Sequence, residues 1–184
     1  YWIWSRLGVG AFYQAGWIRF DNQAGIATVY ARPSWIVPQI VVRPPSIGPV
    51  QLKASLGYSV YSFSYIHGDR TYFVDSRMSG PLLRMDFRGQ FHRKLVGRLT
   101  GTFEPFQRVS EHPVDSGSSG RGAGYSLEAR GGWVLTDHLE LEIGYRFQRY
   151  RYVFSGAGSR SSGVSGAVAS EQYSGPLVAF RFEF

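Results

Sequence analysis

Residues 139–148 read Leu-Glu-Leu-Glu-Ile-Gly-Tyr-Arg-Phe-Gln. On an extended chain Leu139, Leu141, Ile143, Tyr145 and Phe147 share one face, while Glu140, Glu142, Arg146 and Gln148 share the other. A period of two with one wholly apolar face predicts a strand, not a helix. Just upstream, Leu127, Ala129, Gly131, Trp133 and Leu135 oppose Glu128, Arg130 and Gly132. The short Thr136-Asp137-His138 link between the two runs has the composition of a hairpin turn.

The same unit repeats through the chain. Leu83, Met85, Phe87 and Phe91 alternate with Arg84, Asp86, Arg88 and Gln90; His92-Arg93-Lys94 then turns the chain. Leu95, Gly97, Leu99, Gly101 and Phe103 alternate with Arg98, Thr100, Thr102 and Glu104, and residues 52–61 give one more such strand. A first strand around 6–19, a second within 26–43 and a last over 173–184 bring the number to about eight. Eight is the smallest common closed, up-and-down antiparallel barrel. In the last of these strands Phe180, Phe182 and Phe184 stand on one face, with Arg181 and Glu183 on the other. An aromatic face needs a cover, and lipid is the cover that lets apolar residues point outward and charged ones inward.

The totals agree. At 184 residues the chain forms one domain spanning 1–184. Cysteine is absent, which removes disulfides and thiolate chemistry. Mean hydropathy is −0.17 and no apolar run is long enough for a spanning helix, but both suit a transmembrane barrel with half-polar strands. Aromatics make up 16% and Gly numbers 23, as interface girdles and curved strands require. The start, Tyr1-Trp2-Ile3-Trp4, has no signal-peptide pattern, so the chain reads as a mature exported protein. The net charge of +7 comes mostly from scattered Arg. It forms no nucleic-acid stripe and suits a surface of lipid phosphates.

Short turns at 92–94 and 136–138 alternate with longer Gly/Ser-rich stretches at 67–79, 107–122 and 155–171. This asymmetry predicts long extracellular loops and periplasmic turns and termini. Pro33, Pro38, Pro44, Pro45 and Pro49 crowd the second strand and its turn, where a missing ladder donor predicts an irregular rim or a lateral opening. On the polar faces Arg84, Asp86, Arg88, Arg98, Glu104, Glu128, Arg130, Glu140, Glu142, Arg146 and Arg181 form the expected lumen network. Its charges must pair, because isolated buried charges cost several kcal/mol each.

These strands, Gly144-Tyr145-Arg146-Phe147 and the Phe184 terminus resemble the small outer-membrane barrels of Gram-negative bacteria, typified by the OmpA membrane domain, OmpX and OmpW. The resemblance implies integral outer-membrane localisation, contact with lipid and lipopolysaccharide, and an assembly signal at Phe180, Phe182 and Phe184 read by the barrel-assembly machinery. It also implies a structural or partner-docking role, which includes service as a subunit of a larger envelope assembly. No cofactor, metal or nucleic acid is expected.

A weaker similarity links the chain to PagP-like lipid A acyltransferases, which use His, Asp and Ser near the outer rim. His67, Asp75 and Ser76 supply those residue types in one predicted loop, although not in that family's order, and give the alternative of a lipid A acyltransferase or deacylase. A narrow pore is a third reading. Glu111, His112 and Asp115 read as a solvated rim, and Gly117-Ser118-Ser119-Gly120-Arg121-Gly122 as a flexible connector. Arg149, Tyr150, Arg151 and Tyr152 continue the alternation past the expected lipid boundary. They are the expected headgroup or partner contacts.

Overall fold

A computed structural model describes residues 2–20, 29–46, 48–67, 74–117, 119–136, 138–159 and 166–182, with the backbone alone for 18–20, 29, 67, 181 and 182. The strands are β1 (Trp2–Trp4), β2 (Leu7–Ala15), β3 (Ile18–Phe20), β4 (Val29–Val42) and β5 (Val50–His67). They continue as β6 (Asp75–His92), β7 (Leu95–His112), β8 (Ser119–Thr136), β9 (Leu139–Ser155) and β10 (Val168–Phe182). All pair antiparallel in one up-and-down sheet of order β1-β2-β4-β5-β6-β7-β8-β9-β10, with β3 extending the β2 edge of β4. No helix occurs among the described residues.

The expected closing ladder is absent among them. β1 pairs with the free edge of β2 at Leu7 and Gly8, and no pairing joins β10 to β2. The sheet nevertheless curls until its ends meet through side chains, because Arg146 of β9 hydrogen-bonds Gln14 of β2. Arg84 of β6 also lies 5.3 Å from the centre of the Phe12 ring on β2.

Three expectations about the connections are corrected. β4 forms despite its prolines: it pairs with β2 from Leu7↔Val42 to Ala15↔Ser34. Its ladder to β5 skips only Val37 and Pro38, so the proline-rich strand is not an opening. The stretch 107–122 is mostly strand, since β7 runs to His112 and β8 starts at Ser119. Likewise β6 begins at Asp75 and β10 at Val168, inside the expected loops.

The Gly-rich run was misleading for a packing reason. Gly120, Gly122 and Gly124 sit directly opposite Phe154, Tyr152 and Tyr150 of β9, and the three rings lie across the bare backbone. A Cβ at Gly124 or Gly122 would overlap the facing tyrosine ring, and at Gly120 it would fall 2.8 Å from Phe154 Cε1. Gly124→Ala should therefore lower stability by about 1–3 kcal/mol, as overpacking does, readable as a lower denaturant midpoint. Gly101→Ala, where nothing lies within 4 Å, is the control and should leave the midpoint in place.

Candidate functional site

The inward face changes character along the strands. Towards the short turns it is charged. Arg98 Nε donates to Glu142 Oε1 at 2.8 Å, and Arg130 Nη1 donates to Glu142 Oε2 at 2.9 Å. Arg88 pairs with Glu140, Arg130 with Glu128, and Arg84 with Asp86 at 2.8 Å. Arg146 Nε lies 3.3 Å from Glu128. Arg88 and Arg98, on β6 and β7, thus reach β9 across the interior. The expected lumen residues face this space together, apart from Arg181, whose side chain lies outside the described residues. Glu104 differs in partner: it accepts from the Tyr150 hydroxyl at 2.8 Å.

Above that layer the interior turns apolar. Trp35, Val37, Tyr61, Phe63, Met78, Leu82, Val109, Tyr150, Tyr152 and Phe154 form one buried cluster. Its floor is polar: Trp35 Nε1 donates to Ser59 Oγ at 2.7 Å, and Gln148 Nε2 donates to the Tyr150 hydroxyl at 2.7 Å. The Arg146 guanidinium packs 4.6 Å from the Trp35 ring centre, joining the two layers.

The outward face inverts at the same level. Below it stand exposed Ile40, Leu56, Leu83, Leu99, Leu127, Trp133, Ile143 and Val178, topped by Tyr13, Tyr58, Phe103, Tyr125 and Tyr145. Above it stand exposed Arg32, Arg77, Arg108, Arg121, Arg149 and Arg151 among serines. The expectation for residues 149–152 is therefore corrected. Alternation continues from Glu142 and Gln148, so Tyr150 and Tyr152 are inside, 1% and 2% exposed, while Arg149 and Arg151 point outward. On β9, polar-in and apolar-out at one end becomes apolar-in and polar-out at the other without any change of phase.

Of the acyl-transfer candidates, Asp75 and Ser76 do not share a face, because they are consecutive residues of one strand. Asp75 Oδ1 accepts the Tyr65 amide at 2.7 Å, a structural task, and the His67 side chain lies outside the described residues. Glu111 accepts the Ser116 amide at 2.6 Å, and Asp115 is tied to Ser159 through bonds of 2.8 and 2.9 Å. Of the expected assembly signal, Phe180 is exposed on β10, the Phe182 side chain lies outside the described residues, and Phe184 lies outside altogether.

Two of the concavities among the described residues matter most here. One, of about 660 Å³, lies in the seam between β2 (Phe12–Ala15) and β10 (Leu177–Phe180) and reaches the charged interior at Arg84 and Arg146. The other, about 520 Å³, lies on the outer face of β7, β8 and β9 and is bordered by Arg108, Arg121 and Arg151. Sequence reasoning missed both. The seam is a property of the curled sheet, and the outer groove depends on a one-residue register shift between Glu104 and Gln107. No protein-family model matches this sequence, and no curated protein matches it. Its function has to be argued from the geometry.

Proposed function

We propose that the chain is an integral outer-membrane β-barrel whose role is structural. In this reading the short-turn half spans the bilayer, and the long-loop half stands above it to meet lipopolysaccharide headgroups or an envelope partner. The observation that carries the reading is the inversion of polarity on both faces at one level. A water-soluble sheet has no reason to expose Ile143, Leu127 and Val178 around a charged interior. Above that level the same sheet carries arginines around an aromatic core, as a water-facing one should.

The size of the lower band supports the reading. Leu139 to Phe147 on β9 is roughly nine residues, which at usual strand rise and tilt covers about 25 Å, the height of a barrel's apolar band. Tyr and Phe at its upper edge sit where aromatic girdles sit. In this reading β2 and β10 close the barrel across the seam, since open strand edges are not tolerated in hydrocarbon.

Substitutions at two depths test it. Ile143→Arg, at the centre of the lower band, should cost about 2–4 kcal/mol of stability in lipid vesicles, whereas Val153→Arg, outward on the same strand above the band, should cost nearly nothing. Equal midpoints for both variants would contradict the membrane reading. The folded chain should also migrate differently on a gel before and after boiling.

A further inference from the structure

We propose that the outer groove of β7, β8 and β9 is a binding site for a lipid headgroup carrying two phosphates, held by Arg108, Arg121 and Arg151. The proposal rests on the membrane reading above and names the ligand class for its upper half.

The first argument is the charge arrangement. Arg108 and Arg121 are direct cross-strand partners, and Arg151 stands opposite Ala123, on the diagonal from Arg121. Direct partners on one face have Cβ atoms about 5 Å apart, and like charges so placed repel. No carboxylate borders the groove, whose other members are Pro105, Phe106, Gln107, Gly122, Ala123 and Val153. Nor do the three arginines form an ion pair among the described residues. The interior shows the contrast, since Arg98 and Arg130 share Glu142. Three exposed guanidiniums grouped on one outer face with no carboxylate beside them suit an anionic ligand. Phosphate satisfies paired guanidiniums with two parallel hydrogen bonds each.

The second argument is that the backbone is shaped to make the pair. The ladder steps from Glu104↔Gly124 to Gln107↔Gly122, so Pro105 and Phe106 form a bulge in β7. Without the extra residue Arg108 would point into the aromatic core and Gln107 would point outward. The bulge reverses both. Gln107 becomes 1% exposed, and its Nε2 donates at 3.3 Å to the carbonyl of Pro81 on β6. Arg108 swings out beside Arg121, and Phe106 projects below it, 75% exposed.

The third argument selects a lipid over a free phosphate. The groove lies at the level where the outer face changes from apolar to basic, with Phe106 on its floor and Phe103 and Tyr125 paired on the strands below. A headgroup held there would let its chains run down over Phe103, Leu127 and the lower band. A cross-strand pair plus a diagonal third arginine suits two phosphates better than one.

The test uses the folded full chain in detergent micelles, where binding can be read whether or not the chain inserts in a bilayer. The probes are lipid A with two phosphates, lipid A with one, fully dephosphorylated lipid A, and inorganic pyrophosphate. Saturable one-to-one binding of the doubly phosphorylated lipid is expected. Arg108→Gln, Arg121→Gln and Arg151→Gln should each weaken it about tenfold or more, as the loss of a charge-assisted bond does. Arg32→Gln, outside the groove, should leave it unchanged, and fully dephosphorylated lipid A, which keeps the acyl chains but lacks the phosphates, should not bind measurably. Equal weakening by Arg32→Gln would show diffuse attraction and overturn the site. Pyrophosphate binding as tightly as the lipid would overturn the lipid assignment, and equal affinity for one and two phosphates would overturn the two-phosphate requirement. Failure of Ile143→Arg to destabilise the chain in vesicles would count against the membrane reading alone.

Discussion

Glu142→Ala should lower the unfolding free energy by about 3–5 kcal/mol, the range found when one partner of a buried ion pair is removed. Glu142 is 1% exposed and accepts from both Arg98 and Arg130. Those arginines keep Glu140 and Glu128 respectively, but the interior gains an uncompensated positive charge. Glu142→Gln separates charge from shape: it keeps an acceptor of the same size yet should still cost a large share of the loss. Denaturant midpoints of wild type and both variants, taken in the same lipid, decide the matter. A midpoint unchanged by Glu142→Ala would mean that water already screens the network, and the lumen would then have to be regarded as an open ion path.

Trp35→Ala should cost a similar amount, about 3–5 kcal/mol, for an unrelated reason. Trp35 is 3% exposed, meets Phe12 edge-on with centroids 5.2 Å apart, donates to Ser59 and supports the Arg146 guanidinium. Its removal opens a cavity where the apolar and charged layers join. Trp35→Phe keeps most of the ring and loses the indole donor, so it should cost about 1–3 kcal/mol. If both substitutions cost the same, the hydrogen bond to Ser59 and not the packing would be the important contact.

The lower half of the molecule was legible in the sequence because one face is apolar and the other charged. Residues 127–135 and 139–148 form the paired strands read from them, and Arg98, Arg130, Glu140 and Glu142 meet as their parity required. The upper half was legible in phase but not in chemistry. Arg149 and Arg151 alternate with Tyr150 and Tyr152 in a pattern that fits either facing. A reader who expects lipid outside places the rings there, whereas continuous parity from Glu142 places them inside. Gly120, Gly122 and Gly124 looked like flexible linker because their function is to make room for the rings of Phe154, Tyr152 and Tyr150, far along the chain on the neighbouring strand. The bulge at Pro105-Phe106 turned Arg108 to a face that simple alternation denied it. Closure was predicted from strand number alone, and strand number says nothing about which edge β1 occupies.

If lipid covers the lower band, the polarity inversion also sets how deep the molecule floats. A shift along the bilayer normal by one residue's rise, about 3.3 Å of strand, carries the arginine collar towards hydrocarbon in one direction. In the other direction it lifts Tyr58, Phe103 and Tyr125 into water. Most spanning elements adapt to a thicker or thinner bilayer by tilting. A collar of arginines on five strands resists tilt, because any lean that raises one side lowers a guanidinium on the opposite side. Adjustment to a mismatched bilayer would then fall on the lipid, which must stretch or thin around a waterline the protein holds fixed.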